Sequence, residues 1–289
     1  MTQEWRADRE SRRYGSRSIM APFDSHMHTP LCRHAYGHPQ EYAEAALERG
    51  LSGIIFTCHS PMPDEWFHHV RMAPEDFDQY VELVERTRDE FEERLEIRLG
   101  LESDWFPGME NYLADLHEQA EFHFILGSVH YHGPEYRELF KDLSTQEFYA
   151  EYFNQLALSA ESELFDSLAH PDLVKNHHHE DWNVDDQKEA IAKALDRIAQ
   201  TGVAMELNTS GVNKRAAEMN PSLSMLAMMN ERDIPVTLGS DSHVPDRVGD
   251  GFFQALDDLE EAGYSKVQVF CERRPEPVTI RRFRRALVE

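Results

Sequence analysis

The sequence predicts a single α/β barrel with a metal cluster at the carboxyl ends of its strands. Short apolar segments alternate with amphipathic ones along most of the 289 residues, which favours parallel βα units. Histidine and acidic residues follow one predicted strand after another, and barrel enzymes carry their catalytic groups at those strand ends. An open sheet is the alternative, but open sheets usually carry a glycine-rich phosphate loop after the first strand.

Each strand is predicted from a short apolar segment, and each helix from helical spacing and its end signals. The segment 53–57, for example, is apolar on both faces, as a buried parallel strand requires. The helix after the first strand begins at Pro39 and stops at Gly50, both favoured at those positions. The predicted strands are 23–28, 53–57, 97–101, 122–129, 165–169, 203–207, 235–238 and 266–271. The predicted helices are 39–50, 74–95, 110–120, 146–162, 185–201, 221–231 and 252–262.

Composition favours one domain and excludes several functions. No linker or repeat interrupts the alternation, so 20–272 is assigned to the barrel, between a polar N-terminal tail, 1–19, and a basic C-terminal tail, 273–289. A net charge of −25 argues against nucleic-acid binding. The sequence has no signal peptide or membrane span, and its three widely spaced cysteines indicate no disulfide framework, which predicts a cytoplasmic protein. The oligomeric state is left open.

Two histidines in the first strand are spaced to bind one metal ion together. Residues two apart in an extended strand face the same side, so the imidazoles of His26 and His28 point the same way. Asp24 lies on that face too, and we expect it to orient a ligand imidazole. An isolated pair of this kind could equally pack inside a barrel, but the other strand ends carry further ligands.

The far end of the chain repeats this spacing with Asp241 and His243. A mixture of imidazole and carboxylate favours Zn, Mn or Fe over Ca or Mg, which prefer oxygen ligands. Glu102 follows a buried strand, and its two oxygens can bridge two cations. Four more histidines stand at equivalent places and complete a set of nine candidate ligands: His34, His59, His130 and His170.

Together these segments resemble the PHP (polymerase and histidinol phosphatase) superfamily, and within it the histidinol-phosphate phosphatases. The similarity covers about residues 22–272. Its motifs are His-Met-His-Thr-Pro-Leu-Cys-Arg-His from His26, Phe-Thr-Cys-His ending at His59, Gly-Leu-Glu ending at Glu102, Gly-Ser-Val-His ending at His130, Ala-His-Pro-Asp-Leu around His170, Glu-Leu-Asn-Thr-Ser-Gly from Glu206 and Gly-Ser-Asp-Ser-His ending at His243. Jointly these motifs are highly specific for the superfamily.

The resemblance implies a distorted, TIM-like (β/α)7 barrel with three divalent metal ions, Zn, Mn or Fe. The implied ligands are His26, His28, Glu102 and Asp241 for the first metal, His34, His59 and His243 for the second, and Glu102, His130 and His170 for the third. One position departs from the family pattern, because Cys58 stands where members usually carry an acid. That position is not a ligand in this scheme, so metal binding should survive there.

The ligand set predicts hydrolysis of a phosphate monoester. Neighbouring divalent cations clamp phosphate oxygens and lower the pKa of bound water, so we expect a metal-bridging hydroxide to attack phosphorus in line. The candidate catalytic residues are Asp241, Glu102 and His243, and His243 is also the candidate for stabilising the departing alkoxide. The residues expected to bind the phosphate are Lys214, Arg215, Arg71, Arg247 and Asn208.

The resemblance narrows the small-molecule substrate to L-histidinol phosphate, which would yield L-histidinol and phosphate in histidine biosynthesis. An acidic pocket wall is expected to select its amine and imidazole. Three alternatives stay open: a PHP phosphoesterase for a nucleotide or sugar phosphate, a nuclease like the PHP domains of DNA polymerases, and a non-catalytic metal-binding module. The acidic surface weighs against the nuclease, and the presence of all nine ligands weighs against the non-catalytic module.

Overall fold

A computed structural model of the protein describes residues 22–63, 66–177 and 179–288, so the predicted tail 1–19 lies outside the described residues. Seven strands pair in chain order, all parallel, to form one sheet. They are β1 (Phe23–Met27), β2 (Gly53–Phe56), β3 (Glu96–Asp104), β4 (Phe124–Ser128), β5 (Ser167–Leu168), β6 (Ala204–Asn208) and β7 (Val236–Gly239). A bridge between Met27 and Ser242 brings the two edges together. The predicted TIM-like (β/α)7 barrel is confirmed.

Helices follow the strands and pack on the outside of the barrel. They are α1 (Pro39–Glu48), α2 (Phe77–Phe91), α3 (Glu110–His117), α4 (Pro134–Phe140), α5 (Thr145–Glu161), α6 (Val184–Ile198), α7 (Leu223–Asn230) and α8 (Phe252–Glu261). Each of the seven predicted helices is present, with ends shifted by a few residues. The short α4 is an addition, and it begins at a proline, a residue favoured in the first turn of a helix.

The apolar pattern explains why strands and helices pack as they do. Both Ile54 and Ile55 of β2 are fully buried, because the strand has helices on one face and the barrel interior on the other. Helix α2 buries the apolar stripe that contains Tyr80. The Tyr80 hydroxyl lies 2.9 Å from the carbonyl oxygen of Phe56 and 2.8 Å from that of Gly100, which fixes α2 to β2 and β3.

The chain after β7 has a strand at the predicted place and corrects the prediction of a C-terminal tail. The segment predicted as a last strand, β8 (Lys266–Cys271), pairs antiparallel with β9 (Arg274–Thr279) and does not enter the barrel sheet. The residues from 273 onward were expected to be a basic tail, but β9 and a short helix, α9 (Ile280–Ala286), lie there. Val278, Ile280 and Phe283 are buried between the arginines, so apolar packing orders this segment.

Strand β3 is longer than predicted and carries Glu102 within it, paired in register with Leu126 of β4. Strand β5 is shorter, with only two residues, so His170 lies in the loop that follows. Both differences affect where ligands project at the carboxyl end of the barrel. Among the described residues, none of the helices combines the length and the apolar character that a membrane crossing requires.

Candidate metal centre

The carboxyl ends of the strands bring all nine candidate ligands to one end of the barrel. β1 carries His26, β3 carries Glu102, and the loops after β1, β2, β4, β5 and β7 carry the other residues. Seven of the nine ligands line one cavity: His34, His59, Glu102, His130, His170, Asp241 and His243. His26 and His28 lie beneath, with no exposed surface.

Glu102 stands at the centre of the cluster, and its two carboxylate oxygens face different histidines. Oε1 lies 3.0 Å from His170 Nε2 and 3.4 Å from His130 Nε2. Oε2 lies 2.9 Å from His59 Nδ1 and 3.4 Å from His26 Nε2. A carboxylate with different neighbours at each oxygen has the arrangement that bridging two cations requires.

The donor atoms implied for the first metal lie close together. They belong to His26, His28, Glu102 and Asp241. His28 Nε2 lies 3.2 Å from both His26 Nε2 and Asp241 Oδ1, and 3.6 Å from Glu102 Oε2. The distance from His26 Nε2 to Asp241 Oδ1 is 3.7 Å. Ligands about 2.1 Å from a central ion, as in zinc sites, are about 3.4 Å from one another in a tetrahedron. The donors of His26, His28 and Glu102 therefore fit one metal ion, and Asp241 lies beside the two histidines.

The second implied set is looser. The ring centres of His34 and His243 are 4.4 Å apart, and His59 lies 5.3 Å from His34 and 6.1 Å from His243. His34 and His243 both line the cavity and are partly exposed, whereas His26, His28 and Glu102 of the first set are buried. This part of the cluster is therefore the part that opens toward the cavity.

Several buried atoms of the cluster have no hydrogen-bond partner, which fits a metal centre. They include His59 Nδ1 and Glu102 Oε2, which are 2.9 Å apart without the geometry of a hydrogen bond. Unpaired buried polar atoms are rare because each costs about 1–3 kcal/mol. Three-residue groups spaced for metal binding include His26, His28 and Glu102, and also His59, Glu102 and His130. The mixed imidazole and carboxylate donors suit zinc and similar ions.

Two carboxylates orient ligand histidines from outside the cluster, and the sequence analysis missed both roles. Glu206 Oε1 lies 2.7 Å from His26 Nδ1, and Asp104 Oδ1 lies 2.7 Å from His130 Nδ1. Each bond fixes the ring so that Nε2 faces Glu102. Glu206 begins the Glu-Leu-Asn-Thr-Ser-Gly motif, but its partner could not be identified without the fold.

Gly239 permits the contact between Glu206 and His26. A Cβ at this position would lie 2.3 Å from Glu206 Oε1 and 2.5 Å from His26 Cβ. Any larger residue would displace one of the two side chains. The Gly-Ser-Asp-Ser-His motif therefore needs its glycine for close packing as well as its later residues for ligands.

Asp24 has a different role from the one expected. Its carboxylate accepts hydrogen bonds from the backbone N–H groups of His26, Ser240 and Gly249 and from the Ser240 hydroxyl, and none from an imidazole. It therefore ties the backbone of β1 to the segment after β7. Burial raises the pKa of Asp24 to about 6 against the effect of these donors.

The charges in the cluster favour ionised carboxylates. Burial raises the pKa of Glu102, but the charges of His59, His130 and His26 outweigh it and hold the pKa well below its usual value. Burial lowers the pKa of His59 to about 4, and burial together with nearby His28 lowers that of His243 to about 2. Burial also lowers the pKa of His26, His28 and His130, but nearby carboxylates outweigh it and raise the pKa of all three, so metal binding must displace a proton from these rings.

Two ligands lie in strained backbone conformations. His170 has a φ of +29° and Asp241 a φ of +49°, both in a region that residues with side chains rarely adopt. Such strain costs of order 1–3 kcal/mol and tends to occur at functional sites. At both positions the backbone turns just after a strand and directs the side chain toward Glu102 or His28.

The cavity above the cluster measures about 440 Å³. Lys214 and Arg247 line it, and Lys214 Nζ lies 3.1 Å from Asp241 Oδ2 and 2.8 Å from Ser210 Oγ. Its apolar and aromatic lining residues are Phe67, Val70, His132, Leu173 and Val244. The expected acidic wall is not found among the described lining residues, whose carboxylates are those of Glu102 and Asp241.

Three residues expected to bind phosphate lie elsewhere. The Arg71 guanidinium is buried and paired with Asp104, so it supports His130 from behind. Asn208 is buried, with its amide donating to Glu206 and its oxygen accepting from Ser210. Arg215 is exposed and does not line the cavity. The sequence alone does not show which way a basic or amide side chain near a motif points.

Comparison with known proteins places this site in a known family. The sequence model of the PHP domain family matches residues 24–210. A protein of Deinococcus radiodurans named probable histidinol-phosphatase is 37% identical over 260 residues, covering 88% of this chain and 98% of the relative. The histidinol-phosphatase of Bacillus subtilis is 27% identical over 256 residues, covering 78% of this chain and 95% of the relative.

A solved structure has the same fold. The histidinol phosphate phosphatase of Lactococcus lactis, complexed with zinc, L-histidinol and phosphate, superposes with a TM-score of 0.76. It is 20% identical, and the match covers 88% of this chain and 98% of that chain. At this identity the likeness concerns the barrel fold.

Proposed function

This chain belongs to the PHP domain family, and we propose that it is a metal-dependent phosphatase that converts L-histidinol phosphate and water into L-histidinol and phosphate. The observation that carries this proposal is the cluster around Glu102 at the floor of a cavity that also presents cationic side chains. Relatives along nearly the full length of the chain bear the name histidinol-phosphatase, which supports the choice of substrate.

We assign three divalent ions to the cluster, with zinc, manganese and iron as the candidates. His26, His28, Glu102 and Asp241 would hold the first ion. The remaining ligands would hold the other two, in the sets His34, His59 and His243, and Glu102, His130 and His170. When bound, such ions neutralise phosphate charge and make a hydrolytic nucleophile available near neutral pH.

The protein's own side chains bind and orient the phosphate in this proposal. Lys214 and Arg247 line the cavity and supply positive charge beside the cluster. Ser210 holds the Lys214 ammonium at 2.8 Å, so that group has a fixed direction toward Asp241 and the cavity. Charge-assisted hydrogen bonds from such a group are about twice as strong as neutral ones.

His243 is better suited to binding metal than to donating a proton to the leaving alcohol. Its pKa, lowered by burial and His28, leaves the ring neutral at physiological pH. The apolar and aromatic wall, with Phe67 and His132 in edge-to-face contact at 5.4 Å, provides a surface for the substrate's imidazole. Shape and ring stacking, in place of an acidic wall, would then select the substrate.

The test is phosphate release from L-histidinol phosphate, a nucleotide monophosphate, a sugar phosphate and 4-nitrophenyl phosphate, with metal analysis of the same sample. We expect kcat/KM to be highest for L-histidinol phosphate and the protein to contain more than one equivalent of metal. A strong preference for another metabolite would assign the chain to a different phosphoesterase. Full activity in a metal-free sample would exclude the metal-dependent mechanism.

A further inference from the structure

The ligand histidines differ in what their second ring nitrogen contacts. His26 and His130 each hold a carboxylate oxygen at 2.7 Å through Nδ1, and His34 Nδ1 lies 2.9 Å from the Cys32 carbonyl oxygen. His28 is fully buried, and its Nδ1 makes no hydrogen bond among the described residues. Since a metal-binding histidine nearly always donates from its other nitrogen, His28 needs an acceptor of another kind.

The sulfur of Cys58 lies near the His28 ring and can serve as that acceptor. One ring nitrogen of His28 and the sulfurs of Cys58 and Cys32 lie within 4.8 Å of one another, and all three residues are buried. His28 Nε2 faces Asp241 and His26, so Nδ1 is the nitrogen left for the sulfur.

The surroundings of Cys58 are those of a hydrogen-bond acceptor. The Thr29 hydroxyl donates to its sulfur at 3.2 Å, and the Thr29 backbone N–H donates at 3.4 Å. The Cys58 thiol in turn donates its hydrogen to the Thr29 carbonyl oxygen at 3.6 Å. Two donors from one residue orient the sulfur lone pairs, and this arrangement leaves the sulfur able to accept a third bond from His28.

We propose that Cys58 is a positioning residue whose sulfur accepts a hydrogen bond from His28 Nδ1 and so holds the ring toward the first metal. It would do for His28 what Glu206 does for His26 and Asp104 does for His130. The inference rests on the proposed metal centre. It also explains why Cys58 can stand where family members usually carry an acid, since sulfur and carboxylate both accept hydrogen bonds.

The test compares Cys58→Ala and Cys58→Asp in the full-length protein, by titration of the metal-depleted chain with zinc against a competing chelator. We expect Cys58→Ala to weaken zinc binding by about 10- to 100-fold, the usual effect of losing such a partner. Cys58→Asp restores an acceptor and should bind zinc within about threefold of the unmodified protein on the same scale. A purely packing role predicts the reverse, because alanine fits the site and a buried carboxylate without a donor does not.

Cys271→Ser is the matched control, since Cys271 lies on β8 away from the cluster, and it should bind zinc normally. Cys58→Ser, with a weaker acceptor, should fall between alanine and aspartate and gives a second comparison if the aspartate variant does not fold. Thermal unfolding of the metal-free variants separates loss of folding from loss of binding. Equal zinc affinity in the alanine and unmodified proteins would overturn the proposal.

Cobalt(II) loading supplies a spectroscopic check that does not depend on turnover. If Cys58 only accepts a hydrogen bond, the cobalt protein should show no thiolate-to-metal charge-transfer band. Such a band, lost in Cys58→Ala, would make the sulfur a ligand and overturn the positioning role. Failure to hydrolyse L-histidinol phosphate would contradict the proposed function and leave the difference in zinc affinity unchanged.

Discussion

Both ends of the barrel bury histidines, but only one end arranges them around carboxylates. At the carboxyl end, five imidazoles lie around Glu102, and a sixth, that of His243, lies beside Asp241. At the amino end, His117 and His123 lie apart: His117 Nε2 is 2.9 Å from the Ser103 hydroxyl, and His123 accepts from the Glu272 N–H. Their nearest charges are arginines, which with burial lower both pKa values to about 3.

The difference shows that convergence on shared carboxylates, and not burial or the number of histidines, distinguishes a metal centre. The histidines at the amino end have hydroxyl, thiol and backbone N–H neighbours, and their lowered pKa values keep them neutral. In the cluster, His26 and His130 each face Glu102 through one nitrogen and an orienting carboxylate through the other. Changes at the carboxyl end should therefore affect metal binding and activity, and changes at the amino end should not.

The largest effect is expected for Glu102→Gln. The amide keeps the shape of the side chain but removes the charge that serves several histidines at once. We expect at least about a 1,000-fold loss of kcat/KM, because metal ions contribute several kcal/mol to transition-state stabilisation. Metal analysis should show fewer bound ions. His123→Gln at the amino end is the control and should keep both metal and activity; similar losses in both variants would refute the contrast.

Glu206→Gln should have the next largest effect. Loss of the charged acceptor for His26 Nδ1 should weaken metal binding by about 10- to 100-fold, measured by chelator competition. Asp166→Asn is the matched control, since Asp166 is a buried carboxylate at the amino end, paired with Arg273. If Asp166→Asn weakened metal binding as much, the effect of Glu206 would be one of stability alone.

Lys214→Ala should raise KM for the phosphate substrate by about tenfold, the effect of losing one charge-assisted hydrogen bond. The metal content should change little, because the ammonium contacts Asp241 Oδ2 while His28 faces Oδ1. Arg273→Ala removes a cation from the amino end and should leave KM unchanged. A normal KM in Lys214→Ala would remove this residue from the phosphate site.

The sequence predicts the ligand positions better than the residues around them. The two-residue spacing of His26 and His28 places both on one strand face, and strand ends in a parallel barrel meet at one mouth. The partners Glu206 and Asp104 could not be identified, because they depend on which ring nitrogen faces inward. The ion pair of Arg71 with Asp104 could not be identified either, because a buried ion pair between distant residues leaves no local sequence pattern.

The smallest effect is expected at the amino end, in the acid stability of His117→Gln. Burial and Arg273 lower the folded-state pKa of His117 to about 3, below its value of about 6.5 in an unfolded chain. The unfolded chain therefore binds the proton first, so the stability from neutral His117 is full above pH 6.5 and is lost as the pH falls toward 3. Each such group changes the free energy of unfolding by at most about 1.4 kcal/mol per pH unit.

Denaturant unfolding between pH 7 and 4.5, with both proteins in chelator, should show a shallower loss of stability in His117→Gln than in the unmodified protein. Parallel curves would mean that His117 titrates normally and that the amino end does not hold it neutral.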